Sequence, residues 1–105
     1  MLLTSYLQDG TLTIVLKGEI DHHCAKQHIQ SISAKIEAYT PQVCILDFQE
    51  VTFMDSSGIA VVINALRNMN KLEGQLALAG LNPQPMKVFH ASGIDKLVHI
   101  KEEVK

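Results

Sequence analysis

Two short runs, VCILDF (43–48) and QLALAG (75–80), are almost continuously apolar, and an amphipathic segment separates them. A strand with one wet face alternates apolar and polar residues, whereas a near-continuous apolar run of this length suits a strand covered on both faces. Parallel strands need a crossover rather than a tight turn, and the intervening SGIAVVINALRNMNKLEG supplies one. There Ile59, Val62, Ile63, Leu66 and Met69 recur at helical spacing, Asn64, Arg67, Asn68 and Lys71 take the other side, and Gly74 is placed as a stop. The chain is therefore built around a parallel β-α-β unit.

The flanking segments extend that unit. SYLQDGTLTIVL reads as a hairpin, since Asp9-Gly10 tolerates the positive φ values of a two-residue turn. Beyond it Leu12, Ile14 and Leu16 alternate with Thr11, Thr13, Val15 and Lys17, and Gly18 is expected to end the strand. In IDHHCAKQHIQSISAKIEAY, Ala25, Ile29, Ile32, Ile36 and Tyr39 form one helical face, with Asp21 as N-cap and Thr40-Pro41 as the stop. After the second parallel strand, NPQPMKVFHASG carries short-helix punctuation, KLVHI is a candidate last strand and KEEVK a solvated tail. The order β-β-α-β-α-β-α-β predicts an α/β fold: a mixed, mainly parallel sheet with an N-terminal hairpin and helices packed against it.

Composition narrows the function classes. A chain of 105 residues, 47% of them apolar, is expected to form a single domain over residues 1–105 with an aliphatic core, since Trp is absent. Nine basic and eleven acidic residues give a net charge of −2 with no cationic cluster, so neither nucleic acid nor an acidic membrane is an expected partner. Cys24 and Cys44 form no disulfide framework; Cys44 reads as core and Cys24 as a helix start. MLLTSYLQDG lacks the basic region of a signal peptide, and IAVVI is too short to cross a bilayer. A cytoplasmic protein is expected.

The chemistry concentrates in FMDSSGIAVV (53–62), which sets Asp55, Ser56, Ser57 and Gly58 at a strand-to-helix junction. Unpaired N–H groups and the dipole make a helix N-terminus a site for negative charge, such as a phosphoryl group. Asp and Ser are also ordinary N-caps, so capping alone is the plainer reading. Every residue from Ile59 to Ile63 is apolar, however, and Ala60 and Val61 are expected on the outer side, as a docking patch beside the serines. A phosphoryl group there would oppose docking through charge and desolvation, with Asp55 adding to the negative field.

Other constellations carry less. DHHC (21–24) lacks a second Cys/His pair at zinc spacing, so no metal is expected, and His28, His90 and His99 read as ordinary helix or strand residues. No glycine precedes the serines as a G-x-S-x-G elbow requires, which argues against a serine hydrolase. No Walker-type loop is present to bind nucleotide.

FMDSSGIAVV, KGEIDHHCA (17–25) and FHASGIDKLVHI (89–100), in this order across nearly the whole chain, resemble the STAS-domain family. Within it the chain is most similar to anti-sigma factor antagonists, particularly the sporulation type acting on anti-sigma F. The resemblance implies a non-enzymatic regulator without cofactor, in which Ser56 is phosphorylated by an anti-sigma factor that is also a serine kinase. The unmodified form would bind that kinase and release the sigma factor, and a PP2C-type phosphatase would restore the serine. It also implies a partner-facing edge that brings Asp21 and His22 beside Asp55, Ser56, Ser57, Gly58, Ile59, Ala60 and Val61. Cys24 departs from the Thr or small residue common in the family, and little chain remains after KLVHI for a final helix. The alternative role is a docking or scaffold subunit of a stress-response or lipid-transport complex, with the same patch and no phosphoswitch.

Overall fold

Asp9 and Gly10 take φ values of 53° and 80° and close a hairpin between β1 (Leu3–Gln8) and β2 (Thr11–Ile20), in the register Gln8 to Thr11. The computed structural model describes residues 3–101, and the tail 102–105 lies outside them. From the hairpin the chain continues through α1 (His22–Tyr39), β3 (Val43–Met54), α2 (Ser57–Lys71), β4 (Gln75–Ala79), α3 (Pro83–Ser92), a 3-10 turn (Ile94–Lys96) and β5 (His99–Lys101). The five strands lie in the order β1-β2-β3-β4-β5. β1 pairs antiparallel with β2 and every other pairing is parallel, the mixed sheet expected of this element order.

Strand alternation decides where the helices go. Leu12, Ile14 and Leu16 of β2, Cys44, Leu46 and Phe48 of β3, and Leu76 and Leu78 of β4 share one core. Ala25, Ile32 and Ile36 of α1, Val61, Val62, Ala65 and Met69 of α2, and Phe89 of α3 complete it. All three helices thus cover the same face of the sheet. Phe48 and Phe89 meet edge to face, with centroids 5.5 Å apart, and tie α3 to the central strand. On the opposite face Ile45, Ala77 and Ala79 form a small separate cluster with Val43 against it. α1 and α2 pack side by side, joined by a polar bridge: Ser33 Oγ donates to Asn64 Oδ1 (2.9 Å) and accepts from Asn68 Nδ2 (2.8 Å).

Two strands run longer than their sequences suggest. Gly18 does not end β2; at φ 83° it sits where the pairing with β3 shifts register, and the strand continues to Ile20. β3 does not give way to a loop after Phe48 but continues to Met54 through two irregularities. Asp47 Oδ1 accepts from Gln49 N (2.9 Å) within the first. The helix boundaries follow the expected chemistry more closely. Asp21 caps α1, Thr40 ends it in the left-handed region at φ 41°, and Gly93 ends α3 at φ 82°. After α2 the left-handed residue is Glu73 (φ 57°) rather than Gly74, which is needed for space: a Cβ there would lie 2.7 Å from the Gln42 carbonyl oxygen.

Cys44 is fully buried, and burial pushes its thiol pKa up to about 12. His28 lies on the inner face of α1 at 1% exposure, and its Nε2 has no hydrogen-bond partner among the described residues. Burial lowers its pKa, because the charged imidazolium would lose its hydration. The unfolded chain takes up a proton on this histidine below about pH 6.5 while the folded chain resists it, so the unfolded state binds more protons and stability falls with acidification. Urea unfolding between about pH 7 and 5.5 should show that decline, and His28→Leu should flatten the slope over the same window. An equal slope in both proteins would remove His28 as its source.

Candidate functional site

β2 and β3 end together. Ile20 and Met54 are register partners, and Asp55 N donates to Ile20 O at 3.0 Å. The segments that leave them, Asp21 into α1 and Asp55-Ser56 into α2, therefore emerge side by side at one edge of the sheet. Asp21 and His22 thus follow directly on the strand end that pairs with the one leading to Ser56. Asp21 accepts from His23 N (3.0 Å) and Cys24 N (3.2 Å). Its own N–H donates to Cys24 Sγ (3.4 Å), which completes a capping box. Desolvation raises the Asp21 pKa, but the hydrogen bonds from Cys24 and His23 outweigh it and hold the carboxyl below its ordinary value. His22 is exposed, with its ring against His23 at a centroid distance of 4.0 Å.

At the second junction the carboxylate, not a serine hydroxyl, satisfies the helix start. Asp55 Oδ1 accepts from Ser57 N at 2.8 Å, and the Asp55 carbonyl accepts from Gly58 N at 3.1 Å. Ser56 occupies the N-cap position at φ −63° and ψ −15° with no side-chain capping bond, and it is exposed. The plain capping role thus belongs to Asp55, and the Ser56 hydroxyl faces solvent at the start of a 15-residue helix. Ser57 is half-buried.

The apolar patch beyond the serines is smaller than expected. Ala60 is exposed and Ile59 half-buried, but Val61 is buried at 1% exposure and is not part of an outer surface. The reason lies in the packing of α2, which contacts α1 as well as the sheet, so its buried face widens to take in Gly58, Val61, Val62, Ala65 and Met69. Gly58 is itself buried, and a Cβ there would lie 2.5 Å from Met54 Sδ. Glycine lets the first turn of α2 rest on the Met54 side chain. Phe53, 43% exposed at the end of β3, adds an aromatic next to this edge that the sequence reading passed over.

Two more residues were missed. β4 ends with Ala79 opposite Asp47, so β3 beyond that point has β2 on one side and, among the described residues, no strand on the other. Asn82 Nδ2 donates to the carbonyls of Gln49 (3.1 Å) and Val51 (2.7 Å). Gln84 accepts from Met54 N through Oε1 and donates to Met54 O through Nε2, both at 2.9 Å. Side chains from the start of α3 thus replace the absent strand. In the sequence these residues are embedded in NPQP, which reads only as helix punctuation.

The Gly58 contact has a measurable consequence. Gly58→Ala should destabilise the fold by about 1–3 kcal/mol in urea denaturation, because the displaced Met54 side chain is fully buried. Met54→Ala should then cost less in the Gly58→Ala background than in the wild type, and strict additivity would show that the two positions do not collide.

The family model for the STAS domain matches residues 3–105. An anti-sigma F factor antagonist of Lysinibacillus sphaericus is 37% identical over 84 residues, which span 80% of this chain and 72% of that one. The solved structure of the anti-sigma factor antagonist SpoIIAA in its unphosphorylated form is 30% identical, with a TM-score of 0.81, over 96% of this chain and 89% of that one. The phosphorylated form of the Bacillus cell fate determinant SpoIIAA superposes with a TM-score of 0.71 at the same identity, over 96% and 92% of the two chains. With the hairpin, the parallel sheet and the Asp55–Gly58 junction all in place, the chain belongs to the STAS-domain family.

Proposed function

We propose that this protein is a non-enzymatic anti-sigma factor antagonist whose unmodified form binds an anti-sigma serine kinase and is switched off by phosphorylation of Ser56. The observation that carries this reading is the free hydroxyl of Ser56, exposed and unused in capping, at the first turn of α2. Its similarity to anti-sigma F factor antagonists, and to a relative solved in both unphosphorylated and phosphorylated forms, supports the same role.

The switch follows from local electrostatics. In the transfer, Ser56 Oγ bonds to the γ-phosphorus of ATP held with magnesium by the kinase, the bond to the β-phosphate oxygen breaks, ADP leaves, and the hydroxyl proton passes to a base of the kinase. The product carries about two negative charges. The N-terminus of α2 favours them, so the modification is compatible with the fold. Docking is not: a phosphoryl group beside Ala60, Ile59 and the Asp55 carboxylate makes burial of this edge against a partner costly. Asp21, His22, Ser57 and Gly58 shape the same edge through the two helix starts, and a PP2C-type phosphatase restores the serine by hydrolysis.

The test is to incubate the purified protein with the anti-sigma kinase and Mg-ATP, map phosphate by mass spectrometry and measure binding. One phosphoryl group is expected on Ser56. Ser56→Ala should bind the kinase and remain unmodified, and Ser56→Asp should bind at least about tenfold more weakly. Modification elsewhere, or unchanged binding by both variants, would overturn the assignment.

A further inference from the structure

Ser56 is free in its side chain but held on both sides through the backbone. On its C-terminal side Ser57 N is bonded to Asp55 Oδ1, and on its N-terminal side Asp55 N is bonded to Ile20 O. One residue earlier, both backbone polar groups of Met54 are taken by a single side chain thirty residues away, that of Gln84. Gln84 stands between Pro83 and Pro85, whose rings fix φ on either side, and Pro85 is buried, so the amide projects from a stiff platform. Asn82, two residues before it, holds the carbonyls of Gln49 and Val51 further from the serine.

We propose that Gln84 is a positioning residue for the phosphoacceptor: its two-point grip on Met54 sets the height of the Asp55–Ser57 turn above the sheet and with it the direction of the Ser56 hydroxyl. This rests on the reading of Ser56 as the acceptor. Without the amide, the N–H and C=O of Met54 have no adjacent strand to turn to, and the turn is anchored by the Ile20 contact alone on that side. Phosphoryl transfer requires the acceptor oxygen in line with the bond that breaks, so a loosened turn lowers the rate of transfer more than it weakens docking. Asn82 serves the same strand extension but not the residue that leads into the turn, so its loss bears on stability only.

The deciding comparison uses Gln84→Met, which keeps length and bulk but removes both hydrogen bonds, and Asn82→Ala as control. For phosphorylation by the anti-sigma kinase, Gln84→Met should lower kcat by about fivefold or more with KM within about twofold of wild type. Asn82→Ala should lower the melting temperature yet leave kcat unchanged. Amide hydrogen exchange at Ser57, read by NMR in the free protein, should accelerate in Gln84→Met and not in Asn82→Ala. A Gln84→Met protein that melts lower but keeps wild-type kcat and wild-type Ser57 exchange would reduce Gln84 to a structural contact and overturn the proposal. If the wild type itself took no phosphate on Ser56, the functional reading would fall, and Ser57 exchange would still decide whether Gln84 holds the turn.

Discussion

The parallel pairing of β2 with β3 governs where the two longest helices of this molecule begin. It is the longest pairing in the sheet, running from Thr11 opposite Val43 to Ile20 opposite Met54, and it continues after β4 has ended at Ala79. Because the two strands are parallel and finish level, the helices that follow them both begin at the same edge. Asp21 and Asp55, the two residues that start α1 and α2, come together for that reason alone. The bond from Asp55 N to Ile20 O is the last rung of this ladder, and the Ser56 turn hangs from it.

That extension creates a problem that the fold must solve. A central strand projecting beyond its neighbour exposes peptide groups along one side, and leaving them unpaired in a part-buried position is costly. The chain meets the demand with the side-chain amides of Asn82 and Gln84 instead of another strand. α3 thereby holds β3 twice, through Phe89 against Phe48 in the core and through its first turn at Met54. The economy at the turn itself is similar. Asp55 supplies the capping oxygen, which leaves the serine that follows it chemically unengaged. A serine that capped its own helix would have to break that bond before accepting a phosphoryl group.

Most of the architecture was legible because its periodicities are clean: the Asp9-Gly10 hairpin, the Asp21 cap of α1 with Ala25, Ile32 and Ile36 on its inner face, and the short buried strand QLALAG all fall where the pattern puts them. Tyr39, expected on the α1 inner face, is instead exposed at the helix end, and His28 takes a buried place. The end of β3 was not legible, and its register explains why. Two irregularities in the pairing move the buried residues Phe48, Val51 and Met54 to a spacing of three, which resembles neither a strand nor a full helical stripe. Val61 was misplaced for a different reason. A single-stripe picture of α2 assumes one neighbour, whereas the helix has both the sheet and α1 to cover. Asn82 and Gln84 were invisible as site residues because their role depends on where β4 stops, which no local pattern encodes. The junction Asp55–Gly58 was legible as a helix start, but which of its oxygens would cap the helix is settled only by the turn geometry.

The two thiols give this domain an internal pair of stability gauges. Cys44 sits at zero exposure in the central strand with its thiol pKa pushed up to about 12, so it becomes reactive only when the sheet itself comes apart. Cys24 is half-exposed in the first turn of α1, where its sulfur bridges the Asp21 N–H and the Glu19 carbonyl. Part of its surface is open in the folded state, so its reaction needs no opening of the sheet. Thiol labelling of the unmodified chain therefore separates the start of α1 from global unfolding of the sheet, with no substitution introduced.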